Sequence, residues 1–168
     1  METSTFDKWF ATYFNQEQAQ VTELLSNSTA TRFLIAWSLL ETSRFNGFAR
    51  LKMIEDFAFN EPGIFQIVND ELDNHVRFFY DRYQDSETYK NLMHEQKSQR
   101  MNELVGKNFQ EFSPHEKIFF VMIVIYRYRN NIFHGNKGVA SWLKYEECII
   151  RCTEIMQLLI PMPEKNIA

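Results

Sequence analysis

An arginine and a histidine lie five positions apart in YRYRNNIFHGNKG, the segment from Tyr126 to Gly138. The imidazole of His134 changes its protonation state near neutral pH and can move a proton. The guanidinium of Arg129 can hold a phosphate and stabilise negative charge that develops on it. These two groups are sufficient for cleaving RNA without a metal, by activating the ribose 2′-hydroxyl for attack on the adjacent phosphate.

The residues around this pair could support the same chemistry. Asn130 directly follows Arg129 and can orient the histidine or the scissile group. Arg129 and His134 are about 140° apart on an ideal helix. They can still converge, because arginine is long and the helix is predicted to end at Gly135, or two copies can combine their groups across a dimer axis. Three further cations are candidates for RNA binding, through the flanking phosphates: Arg127, Lys137 and Lys144.

The same pattern has a purely structural interpretation, which spacing alone leaves open. Positive side chains in the last turn of a helix are favoured by the helix dipole. Asparagines in the same place can bond carbonyl groups that the ending helix leaves free. An Arg-x4-His spacing is a weak motif by itself.

Length and charge limit the classes of protein to consider. The chain has 168 residues, of which 45% are hydrophobic, and a net charge of −4. This length suits a single domain over residues 1–168 with a sizeable core. The acidic balance excludes a polycationic nucleic-acid coat, so any nucleic acid must be bound locally by a small basic patch.

The cysteines and the remaining histidines give no metal pattern. Cys148 and Cys152 are four positions apart on a predicted helix, and neighbours on one helix face rarely form a disulfide. We expect both to be core residues. The histidines other than His134 are scattered without metal-ligand spacing, so we expect neither a metal nor another cofactor.

Nothing in the sequence predicts a membrane or secretory protein. The N-terminal stretch METSTFDKWFATYF lacks the basic segment and apolar run of a signal peptide. The longest apolar run is IFFVMIVIY, which is too short for a membrane-spanning helix of about 20 residues. We therefore expect a cytoplasmic protein with no membrane partner.

Apolar residues recur at helical spacing along most of the chain, so we predict helices throughout. The predicted helices cover about residues 5–25 with a break near Asn15, 31–59 with a weak point at Gly47, 65–84, 87–97, 113–135 and 140–160. Residues 98–112 carry a weaker pattern and are predicted to form a surface connection.

The helix predicted over residues 113–135 is the best defined. Ser113 and Glu116 form a capping box around Pro114, which suits the first helical position. Residues 118–125 are apolar on every side, so this helix should lie at the centre of a bundle. The short link that follows predicts an antiparallel last helix. The expected fold is all-α, a four-helix-type bundle with short additional helices.

The segment YRYRNNIFHGNK resembles the signature of the HEPN superfamily, small helical domains of many prokaryotic toxins and defence ribonucleases. That motif is Arg-x4–6-His, usually with a polar residue after the arginine, at the end of the third main helix of a four-helix bundle. Arg129, Asn130 and His134 occupy these positions. The upstream FLIAWSLLETSRF is similar to the family's early helix, which often carries an acidic residue, and Glu41 is the match.

The resemblance implies a homodimer whose two motifs face each other across a shared cleft. It also implies a metal-independent endoribonuclease of toxin–antitoxin or antiphage defence type, acting on an RNA substrate and regulated by an antitoxin or another protein. It spans roughly residues 32–159, but its specific part is the dozen residues around the motif. Two alternatives are a non-catalytic HEPN-like module that binds a partner protein or nucleotide, and an unrelated helical bundle with an interaction role.

Two expectations concern residues outside the motif. Glu41 is predicted to pair with an arginine at the site, such as Arg129. The alternatives are a plain surface carboxylate or an i,i+3 pair with Arg44. The abundant aromatic residues, 15% of the chain, exceed what one core of this size needs. An exposed aromatic patch suited to a dimer is therefore expected.

Overall fold

The computed structural model describes residues 5–15, 17–94, 98–133 and 144–162. Within these ranges the fold is all-α, as predicted, with 9 α-helices and no strand. The helices are α1 Thr5–Phe14, α2 Gln18–Ser26, α3 Ser28–Phe45, α4 Leu51–Asn60, α5 Asp70–Arg82, α6 Ser86–Met93, α7 Gln99–Gly106, α8 Pro114–Phe133 and α9 Glu146–Leu159. The 3-10 turns Ile64–Ile67 and Phe109–Glu111 lie between them.

Helix α8 is the central element, as its sequence predicts. The Ser113 N–H donates to Glu116 Oε2 at 2.7 Å, and the Glu116 N–H donates to Ser113 Oγ at 3.2 Å. Residues 118–125 are all buried, and α8 packs against α4, α5, α6, α7 and α9. No helix in the described part of the chain, α8 included, has both the length and the apolarity to cross a membrane.

Helix α5 runs parallel to α8. Near the start of both helices, Lys117 Nζ donates to Asp73 Oδ1 at 2.7 Å. Near their ends, the Tyr83 hydroxyl donates to the Tyr128 hydroxyl at 3.3 Å. The two helices therefore present their C-terminal ends at the same end of the bundle.

Helix α9 runs antiparallel to α5. The Arg82 guanidinium, at the end of α5, lies 5.6 Å from the ring of Tyr145, just before α9. Further along α9, Glu154 Oε2 lies 3.8 Å from His75 Nε2, in the first half of α5. Since α5 is parallel to α8, the last two long helices are antiparallel, which confirms the prediction.

Helix α3 completes the bundle and runs parallel to α9. At their N-terminal ends, Asn27 Nδ2 donates to Glu146 Oε1 at 2.7 Å. At their C-terminal ends, Arg44 Nε donates to the Leu159 carbonyl at 2.9 Å. The start of α3 thus lies at the end of the bundle where α8 finishes.

The continuous helix predicted over residues 31–59 is wrong. The chain leaves the helix after α3 and re-enters one at α4. Between them, Asn46 and Gly47 both take left-handed backbone angles, with φ of 53° and 89°. Glycine adopts this conformation without strain and asparagine with little, so the pair ends a helix rather than weakening it.

Two other boundaries differ from the predictions. The helix predicted over 65–84 begins only at Asp70, where Asn69 Oδ1 accepts from the Leu72 N–H at 2.9 Å. The predicted surface connection over 98–112 contains α7, whose buried Met101 and Leu104 give it a short apolar face. One pair of apolar positions is too few for periodicity to indicate a helix.

Several large apolar side chains are exposed in the described part of the chain. On α1, Phe6, Trp9 and Tyr13 form an outward aromatic row, in which the Trp9 and Tyr13 rings stack at 5.6 Å. On α3, Ile35 and Leu39 are 57% and 54% exposed. The exposed aromatic residues agree with the prediction of such a patch, and α3 adds an aliphatic face.

Cys148 and Cys152 are both buried and free. They lie on the inner face of α9, with Ile155 and Leu159 on the same stripe. Burial raises the pKa of the Cys152 thiol well above its usual value. Both cysteines therefore act as small core residues, as predicted.

Candidate active site

Arg129 and Asn130 are joined near the C-terminal end of α8. Arg129 Nη1 donates to Asn130 Oδ1 at 3.0 Å. The Arg129 guanidinium carbon also lies 5.8 Å from the centre of the Trp37 ring on α3. Both motif residues are half-buried. The guanidinium is thus oriented by its neighbour on α8 and by an aromatic ring from a second helix.

Trp37 is a site residue that the sequence analysis missed. Its ring is buried beside Arg129 and 6.2 Å from the Tyr126 ring. The indole Nε1 is enclosed and has no hydrogen-bond acceptor among the described residues, and such an unpaired donor typically costs about 1–3 kcal/mol. The helical spacing of apolar residues around Trp37 indicates that it faces the core. Spacing along one helix cannot show which side chain of another helix lies beside it.

Two predicted site residues, His134 and Lys137, lie outside the described residues, as does the predicted helix end at Gly135. Lys144 is described and exposed. Its Nζ lies 5.8 Å from the Tyr145 ring, at the start of α9. Because α8 and α9 are antiparallel, Lys144 lies at the same end of the bundle as Arg129.

Arg127 does not lie beside Arg129. Two positions on a helix are about 200° apart, so the two side chains leave opposite faces of α8. Arg127 is only 7% exposed and lies near Tyr89 on α6. Burial lowers the pKa of its guanidinium. The structure therefore separates this predicted phosphate ligand from the Arg129–Asn130 pair.

Tyr128, between the two arginines, points into the core. Its hydroxyl accepts the hydrogen bond from Tyr83, and its ring meets the Tyr145 ring at 6.4 Å. Burial raises the pKa of both Tyr83 and Tyr128 far above the usual value. The neutral tyrosine pair ties α8 to α5, so the backbone that carries Arg127 and Arg129 is held firmly.

The structural interpretation of the motif's polar residues holds for Asn131. Its Nδ2 donates to the Leu92 carbonyl at 3.3 Å, in the last turn of α6. His94, two residues after Leu92, ends α6 in a left-handed conformation with φ of 46°. Asn131 thus satisfies a carbonyl at a helix end, whereas the Oδ1 of Asn130 is used by Arg129.

Glu41 lies on α3 but makes neither of the predicted ion pairs. Its Oε1 accepts from the Ala49 N–H at 3.0 Å, across the turn that joins α3 to α4. Arg44 instead donates to the Leu159 carbonyl and lies 3.8 Å from Glu61 Oε1. Glu41 therefore holds the turn, and any influence on Arg129 passes through the position of α3.

Glu41→Ala is expected to destabilise the protein by about 1.5–3 kcal/mol, because a hydrogen bond to a charged acceptor that fixes a turn is lost. Urea unfolding of the purified protein measures this. Glu23→Ala, which removes an exposed carboxylate from α2, is the matched control and should change stability by less than about 0.5 kcal/mol. Equal effects of the two substitutions would contradict the role given to Glu41.

Two of the other histidines, His75 and His115, lie away from the motif. His75 is buried against α9, and burial lowers its pKa while Glu154 opposes this effect. His115 stacks on the Phe59 ring at 6.3 Å near the start of α8. In the described ranges, no three His, Cys, Asp or Glu residues are grouped closely enough to hold a metal ion.

Comparisons of the chain with protein-family models, with curated proteins and with solved structures found no match in any of the three. The likeness to the HEPN superfamily therefore rests on the residues around Arg129 and stays a prediction. The chemistry of the site has to be inferred from its own side chains.

Proposed function

We propose that the chain is a metal-independent endoribonuclease of the HEPN type, with its site at the C-terminal end of α8. The observation that carries the proposal is the Arg129 guanidinium, held by Asn130 at 3.0 Å and by the Trp37 ring. Arg129 would stabilise the charge that develops on the phosphate, and His134 would take the proton from the 2′-hydroxyl. Asn130 would keep the guanidinium in place.

The distribution of ion pairs supports phosphate binding at this end. Near the start of α8, Lys107 and Lys117 each bond both oxygens of a carboxylate. Near its end, Lys144 has no ion pair to a described residue. Glu146 lies at this end too, but Asn27 and Thr29 bond its Oε1. Cations left without carboxylates favour polyanions such as RNA.

The exposed face of α3 supports a homodimer. Ile35 and Leu39 are one turn apart on the side of α3 opposite Trp37, and each is more than half exposed. We propose a second copy of the chain as the partner, which would bury this face. Trp37, on the opposite side of the same helix, contacts Arg129. In such a dimer α3 would therefore lie between each candidate site and the interface, unlike the shared cleft that the resemblance implies.

Ile35→Asp is expected to convert the dimer into a monomer, because a carboxylate cannot be buried without a partner. Light scattering from micromolar concentration upward measures the mass. The Ile35→Asp dimer should dissociate at protein concentrations at least about 100-fold higher than the wild-type dimer does. Phe65→Asp, at an exposed apolar position of a 3-10 turn, is the control and should remain dimeric. A monomeric wild-type protein would contradict this surface.

One observation favours the non-catalytic alternative. The hydrogen bond from Arg129 to Asn130 is a structural use of the guanidinium, as expected for a module that binds a partner protein or nucleotide. The two functions are separated by incubating the purified protein with end-labelled mixed-sequence RNA in EDTA and running denaturing and native gels in parallel. Shortened RNA supports the ribonuclease, whereas a shifted but intact RNA supports the binding module.

A further inference from the structure

Arg127 is a buried cation with no counter-ion in the part of the chain that the structure describes. Its side chain is 7% exposed. It makes no hydrogen bond, ion pair or ring contact to any described residue, and its Nε is fully enclosed. Arginine stays protonated in proteins, so this charge cannot be removed by losing a proton. A buried charge without a partner is strongly destabilising.

The polar groups around Arg127 have hydrogen-bond partners, so the lack of a partner is confined to Arg127 itself. Asn131 lies one turn further along the same face of α8, where its amide bonds the Leu92 carbonyl of α6. Tyr89 on α6 lies near Arg127, but its hydroxyl donates to Asn102 Oδ1 at 2.8 Å. The polar groups next to Arg127 in the seam between α6 and α8 are thus satisfied by other partners.

The guanidinium is still reachable from outside. Only Nε is among the enclosed atoms without a partner. The two terminal nitrogens have no hydrogen-bond partner among the described residues but are not enclosed, so they retain contact with solvent at the edge of the seam. A planar fork with its terminal N–H groups directed outward matches the oxygens of a tetrahedral or planar oxyanion.

We propose that Arg127 binds a small oxyanion of the phosphate class in the seam between α6 and α8. This site is separate from the Arg129–Asn130 pair, since the two arginines leave opposite faces of α8. A phosphate is favoured over a carboxylate because its dianion offers more negative charge, and more oxygens, to the guanidinium fork. The anion would supply the charge that no described residue supplies.

Thermal unfolding of the full chain in sodium phosphate and in sodium chloride of equal ionic strength tests the proposal. The wild-type Tm should be roughly 2–6 °C higher in phosphate than in chloride, and the rise should level off as the phosphate concentration increases. Arg127→Met should already raise the Tm in chloride by roughly 2–8 °C, because an apolar side chain replaces an uncompensated charge. The variant should also lose the saturable response to phosphate, leaving only its general salting effect.

Arg77→Met is the matched control, since it removes an exposed arginine from α5 and should retain the phosphate response. Phosphorus NMR gives a direct second measurement, in which phosphate lines broaden with the wild type and with Arg77→Met but not with Arg127→Met. A full phosphate response in Arg127→Met would overturn the site. A lower Tm of a folded Arg127→Met protein in chloride would overturn the claim that the charge is uncompensated.

Related ligands identify the source of the anion. Adenosine monophosphate should raise the Tm at least as much as inorganic phosphate does, while adenosine and acetate should leave the Tm unchanged. Protection by the nucleotide at concentrations more than about tenfold lower indicates a nucleotide ligand, and equal protection indicates free phosphate. Equal protection by acetate or adenosine would overturn the phosphate class.

Discussion

Arg129→Ala and His134→Ala proteins are each expected to cleave RNA at least about 100- to 1,000-fold more slowly than the wild type. Loss of the guanidinium removes the group that stabilises the charge on the phosphate. Loss of the imidazole removes the proton acceptor. Because both act in the same step, the double variant should be little slower than either single variant.

The folded state should be almost unaffected by these changes. Arg129 is half-buried on the last turns of α8 and contributes no core contact comparable with that of Tyr128. Arg129→Lys keeps the charge but loses the fork, so we expect most activity to be lost. Arg151→Ala is the matched control, because Arg151 on α9 is also half-buried and also lies over an aromatic ring, that of Phe78 at 4.0 Å. Cleavage at the wild-type rate by folded Arg129→Ala or His134→Ala would remove the proposed mechanism.

Phe120→Ala is expected to lower the free energy of unfolding by about 3–5 kcal/mol. Phe120 is 0% exposed at the middle of α8 and meets the Phe112 ring at 5.9 Å. Truncation leaves a cavity in the helix that contacts most of the others, so the surrounding side chains cannot all move to fill it. Urea unfolding measures the change.

Phe65→Ala provides the comparison for this prediction. Phe65 is 49% exposed on a 3-10 turn, so its truncation should cost less than about 1 kcal/mol. The ratio of the two effects tests whether α8 is the centre of the fold. A Phe120→Ala protein as stable as Phe65→Ala would show that α8 is not the centre.

Local chemistry explains the parts of the fold that the sequence predicts well. The capping box at Ser113 and Glu116 forms with both of its hydrogen bonds. The break near Asn15 is also confirmed, since Asn15 takes a left-handed φ of 49°. These features depend on residues within one helical turn, so their types and order are enough to predict them.

One wrong prediction, the continuous helix over residues 31–59, has a local cause. Residues 31–59 keep a helical apolar spacing across the turn at Asn46 and Gly47, so periodicity continues where the backbone does not. The asparagine–glycine pair was the available signal for that turn. The Glu41 bond to the Ala49 N–H then depends on the turn being present.

The candidate site was predictable only in part, because its contacts cross between helices. Arg129 and Asn130 were identified by type and spacing, and they are bonded to each other. The contact of Arg129 with Trp37 and the burial of Arg127 depend on how α3 and α6 pack against α8. A single sequence contains no direct record of that packing.

The central claim is that the end of α8 cleaves RNA by 2′-hydroxyl attack without a metal. The most direct measurement is the chemistry of the ends produced when the purified wild-type protein acts on end-labelled RNA in EDTA. The proposed mechanism yields fragments with 2′,3′-cyclic phosphate and 5′-hydroxyl ends, and these should be absent with His134→Ala. Intact RNA with the wild-type protein, or fragments ending in 3′-hydroxyl groups, would contradict it.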